Sequence, residues 1–107
     1  MKIDVTQIFK NYQGQDVMQG KEKLTLREVI SNSLNAMDPQ KPMTAEHKNK
    51  AFQISVKVWA KKEVDLTLDD RKFIKDRAGE VYNPLIYGRV CDILEGKDET
   101  EETNSKT

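Results

Sequence analysis

Residues 44–62 read TAEHKNKAFQISVKVWAKK, and the way this stretch folds decides the architecture. Phe52, Ile54, Val56 and Val58 alternate with polar residues, as a half-buried strand would. Turning each residue by 100° gives a second regularity. Lys50, Gln53, Lys57 and Lys61 then gather in a sector of roughly 80°, and Ala51, Phe52, Ile54, Val56, Val58, Trp59 and Ala60 fill the rest of the circumference. The stretch is long for a strand, Thr44 can cap a helix, and Ala45-Glu46 suit a first turn, so the reading is a helix. With so much apolar circumference it is expected to be the central helix, buried on most sides.

Upstream, Thr25-Leu26-Arg27-Glu28 has the spacing of a capping box, in which Glu28 reaches back to the residue that caps the helix. Leu26, Val29, Ile30, Leu34 and Met37 continue from it on one helical stripe, and Asp38-Pro39 and Lys41-Pro42 stop it. The first twenty residues are extended. Lys2 to Phe9 carries Ile3, Val5 and Ile8, Gln13-Gly14-Gln15 offers a turn, and Val17-Met18 returns, which predicts an N-terminal β-hairpin. Gly20 and the charged Lys21-Glu22-Lys23 are expected to end it.

Downstream, Val64-Asp65-Leu66 is a short extended piece suited to join that hairpin as a third strand. Thr67-Leu68-Asp69-Asp70 repeats the capping logic for a third helix with Phe73, Ile74, Ala78 and Val81 inward, and Gly79 is a candidate terminator. Asn83-Pro84 starts a fourth helix, in which Leu85, Ile86, Tyr87, Val90, Ile93 and Leu94 share one face up to Gly96. The expected fold is α+β and mainly helical: an N-terminal β-hairpin followed by about four helices around a central buried helix. Residues 1–96 form a single domain, and 97–107, KDETEETNSKT, with no apolar residue, form a disordered acidic tail.

The chain has 107 residues and a formal net charge of zero, which removes any global attraction to nucleic acid or anionic lipid. The tail holds four of the acids and two of the lysines, so residues 1–96 carry 16 basic and 14 acidic residues. Within them the lysine sector of residues 50–61 faces the acids at the start of the next helix. One cysteine permits no intrachain disulfide and fits a reducing compartment. No apolar run suits a membrane span or a signal peptide, so a soluble, cytoplasmic protein without membrane contact is expected.

Motifs for chemistry are sparse. His47 and Cys91 could form a nucleophile and base only if they met in space, and one His with one Cys falls short of the four ligands of a structural zinc site. Glu63, Asp65, Asp69 and Asp70 lack the spacing of a calcium loop, and five glycines supply neither a Walker loop nor GxGxxG. No catalytic residue, metal or cofactor is therefore expected. Lys50, Lys57 and Lys61, with Arg71, Lys72, Lys75 and Arg77, form the one basic cluster through which a nucleic-acid-binding regulator would work, although acids are interleaved with it. Tyr82, Leu85 and Tyr87, with Met37 and Met43, could instead supply an aromatic and methionine contact patch for a protein partner or for self-association.

The succession LTLREVISNSL and VDLTLDDRKFIKDRAGEVYNPLIYGRVCDILEG, within residues 24–96, resembles small accessory proteins encoded by bacteriophages and prophages. The resemblance implies an assembly or accessory factor acting in a host cytoplasm, and it assigns no residue. The expectation is a non-enzymatic protein-interaction factor, with the nucleic-acid-binding regulator as the alternative.

Overall fold

Four helices begin where the sequence offers a capping side chain. In a computed structural model that describes residues 1–96, Thr25 precedes α1 (Leu26–Asn35), Thr44 precedes α2 (Ala45–Ala60), Thr67 precedes α3 (Leu68–Val81) and Asn83 precedes α4 (Pro84–Glu95). Glu28 accepts from both the backbone N–H and the hydroxyl of Thr25, each at 3.1 Å. Thr67 and Asp70 satisfy each other reciprocally, and Asn83 accepts from the N–H of Ile86. These bonds occupy backbone donors that have no partner inside a helix. Gly96 ends α4 in the left-handed conformation, φ 70°. The expected acidic tail lies outside the described residues.

The N-terminal extended structure is present, with a pairing that differs from one long hairpin. β1 (Lys2–Asp4) pairs antiparallel with β4 (Glu63–Asp65), so the expected third strand is in fact the main partner. Ile3 lies opposite Val64 and both are buried, which places the inner face of this ribbon on the core. The turn at Gln13-Gly14 forms. The Asn11 side chain accepts from the N–H groups of Gln13 and Gln15, and the bridge between Lys10 and Asp16 closes it. Pairing does not stop at Gly20. With φ 67°, that glycine opens a two-residue turn between β2 (Met18–Gln19) and β3 (Glu22–Lys23), because a tight hairpin needs a positive φ that glycine adopts without strain.

The centre of the molecule is α1, not α2. Leu26, Val29, Ile30, Ser33 and Leu34 are fully buried, and α1 packs against both α2 and α3. The Ser33 hydroxyl is satisfied by the carbonyl of Val29 at 2.8 Å. The expectation of a central, mostly buried α2 is corrected: only Ala51, Ile54 and Val58 of that helix are buried. The reason is competition for a small core. α1, α3, α4 and the β1–β4 ribbon already fill the interior with branched side chains, so a fully apolar circumference on α2 has no second layer to face. Gly79 does not terminate α3, which runs on to Val81. The chain turns extended at Tyr82, with ψ 161°, and Asn83 before Pro84 keeps it extended, with ψ 172°, because the residue before proline is driven out of the helical region. Among the described residues no helix is long and apolar enough to cross a membrane.

Candidate interaction surface

With one stripe of α2 on the core, its opposite stripe meets solvent. Phe52, Val56 and Trp59 are 60%, 51% and 50% exposed. At spacings of four and three they fall within about 60° of one another on a helix, opposite Ala51, Ile54 and Val58. Single exposed apolar residues need no explanation, but three in one row on one helix make a patch.

Trp59 is held in place by α1. Its indole N–H donates to the Ser31 hydroxyl, and the Arg27 guanidinium carbon lies 4.9 Å from the ring centroid. One helical turn away, Asn35 donates to the Ser55 hydroxyl at 3.2 Å and continues the same polar seam between α1 and α2. The seam fixes the indole while leaving half of it in solvent, which lowers the ordering cost of any association that covers it.

The patch suggested by the sequence divides. Tyr82 and Leu85 are half-buried and packed against the core, and the Tyr82 hydroxyl accepts from Asn32 at 3.1 Å. Tyr87 and Met37 stay exposed. The Tyr87 ring lies over Gly79, where an added Cβ would stand 3.2 Å from it, and the Cys91 thiol beside its hydroxyl raises its pKa above the usual tyrosine value. Met37 and Met43 share a groove of about 370 Å³ with Lys48 and Ala51 of α2. A second groove joins Met37 to Gly79 and Val81. The two methionines are therefore brought to the N-terminal end of the α2 surface, whereas Tyr82 and Leu85 belong to the interior.

The basic cluster is largely engaged within the molecule. Lys50 pairs with Asp69, Lys57 with Asp70 at 3.5 Å, and Lys75 with Glu95 at 2.9 Å. The facing of lysines and acids across α2 and α3 read from the sequence is thus present, and Lys50 holds the Asp69 carboxyl below the usual range. Lys61 and Lys72 are exposed. All four arginines donate to backbone carbonyls of distant segments. Arg27 reaches Lys61 at the end of α2, Arg71 reaches Leu94 near the end of α4, and Arg77 reaches Ser33 and Ala36 at the end of α1. Arg89 holds Lys10 and Asn11 in the N-terminal turn, at 3.0 and 2.8 Å. α1 and α4 have no basic residue in their own last turns, so these guanidinium groups meet both the unpaired carbonyls and the negative ends of the helix dipoles. Sequence spacing gives no sign of this role, because the acceptors are backbone atoms.

The residues weighed for chemistry lie in different surroundings. His47 packs on Phe73, ring centroids 5.4 Å apart, in a groove with Asp76 and Glu80, while Cys91 lies on α4 beside Tyr87. Among the described residues no group of three or more His, Cys, Asp or Glu side chains is placed to hold a metal ion.

No family model, curated protein or solved structure matches this chain. The functional reading therefore rests on the surface itself.

Proposed function

We propose that this protein is a non-enzymatic interaction or assembly factor that works through the outward face of α2. The observation that carries the reading is the row of Phe52, Val56 and Trp59, exposed on the side of the helix opposite its buried stripe. Aromatic residues are enriched at protein interfaces, and a preset tryptophan is a frequent energetic anchor there. Most of the basic cluster is occupied by internal acids and carbonyls, which favours protein contact over phosphate contact. The resemblance to small phage-encoded accessory proteins agrees with such a role.

Photocrosslinking tests the reading. A benzoyl-phenylalanine at position 52, in cells that make the protein, should give a discrete protein adduct that disappears when Val56→Glu is added. The same group at Gln13, in an exposed turn, should give none. No adduct at position 52, or equal labelling from both positions, would overturn the proposal.

A further inference from the structure

We propose that the occupant of the α2 face is a second copy of this chain, its α2 packed antiparallel to the first across a two-fold axis close to Val56. The inference rests on the reading of α2 as an interaction surface and names the partner. The stripe is nearly symmetric about its midpoint: Phe52 lies one turn before Val56 and Trp59 nearly one turn after it. Reversing one helix on another sets Phe52 of each copy against Trp59 of the other, twice, with the β-branched Val56 side chains near the axis. A contact related by a two-fold axis must be self-complementary in this way.

The charges at the two ends repeat the pattern. Lys48 stands in the first turns of α2, on the side of Phe52, and Glu63 follows the end of the helix; both are exposed. Antiparallel packing brings Lys48 of one copy towards Glu63 of the other, a pair that occurs twice. Parallel packing would set like against like, which costs affinity. Lys50 and Lys57 lie on the α3 side of the helix, paired with Asp69 and Asp70, and stay outside the contact. An acidic peptide or a nucleic acid seated on this face would find those lysines turned away from it. One helix pair is a small interface, so a dissociation constant on the order of micromolar is expected.

Sedimentation equilibrium of the full chain, from about 1 µM to about 1 mM, should show the mass rising from 12.3 kDa towards twice that value. Emission of Trp59 should shift to the blue in parallel. Phe52→Glu should leave the far-UV circular dichroism unchanged and abolish the dimer. Lys48→Glu should weaken it about tenfold, since two pairs turn repulsive, and Lys48→Glu with Glu63→Lys should restore affinity to within about threefold. A chain that stays monomeric throughout, a dimer indifferent to Phe52→Glu, or a double variant no better than the single one would overturn the inference. The crosslink at position 52 separates the two failures. An adduct with a different protein overturns the second copy and leaves the interaction face standing, whereas no adduct removes both.

Discussion

Arg77 on α3 closes the C-terminal end of α1 by donating to the carbonyl of Ala36. The same guanidinium reaches Ser33 through Nε at 3.2 Å and Glu80 through Nη1 at 3.2 Å, so one side chain serves three acceptors at fixed angles. Arg77→Ala should lower unfolding stability by about 1.5–3 kcal/mol, the range for hydrogen bonds to a charged group. Arg77→Lys should recover less than half of the loss, because an ammonium group does not reproduce the planar fork. Urea denaturation of the three proteins gives the comparison.

The exchange of roles between α1 and α2 has its own measurement. Ile30 is fully buried on α1, and Ile30→Ala should cost about 2–5 kcal/mol through lost burial and the cavity left behind. Phe52→Ala, on the exposed side of α2, should change stability by no more than about 0.5 kcal/mol, as substitutions on open surface do. Equal losses at the two sites would return α2 to the centre of the core.

Two helical glycines should respond differently to the same change. An added Cβ at Gly88 meets nothing within 4 Å, so Gly88→Ala should stabilise by about 0.4–1 kcal/mol through reduced freedom of the unfolded chain. At Gly79 the new methyl would press on the Tyr87 ring at 3.2 Å, and the same gain should be largely lost. Tyr87→Leu added to Gly79→Ala should release it. Melting temperatures of the three variants and the unchanged protein decide the point.

Acid sensitivity follows from carboxylates held below their ordinary range. Hydrogen bonds from Thr6 lower Asp4, Lys10 and Lys23 lower Asp16, and Lys50 lowers Asp69. A group whose folded pKa is depressed adds stability above its unfolded pKa, and that contribution disappears as pH falls through the folded value. Stability should therefore be level from about pH 8 to about pH 5 and decline below about pH 4. The slope should be shallow, since these pairs are exposed and screened. Asp16→Asn should make it shallower still in acid-titrated denaturation curves.

Local signals were legible because their partners are close in the chain. Thr25 with Glu28, Thr67 with Asp70 and Asn83 with Pro84 announce helix starts within three residues, and the structure places those starts as expected. Gly79 misled because glycine serves two purposes in a helix; here it makes room for Tyr87 and does not turn the chain. The burial of α2 was out of reach for a different reason. A helical wheel shows which residues share a side but not how many sides the rest of the chain can cover. The lysine sector of α2 lies along α3, where Asp69 and Asp70 receive it, and this leaves Phe52, Val56 and Trp59 to face outward. For the candidate surface, Met37 and Met43 line one groove, whereas Tyr82 and Leu85, which look no different in sequence from an exposed aromatic patch, pack against the core.

The arginine contacts bear on how the molecule assembles. The last carbonyls of α1 wait for a residue of α3, those of α2 for a residue of α1, and those of α4 for another residue of α3. Three of the four helices draw on a side chain from another helix at their C-terminal ends, and helices of 10 to 16 residues are marginal in water when isolated. Cooperativity is thus written into the backbone bonding as well as the core: excised fragments should be largely unstructured, and the described residues should fold and unfold as one two-state unit.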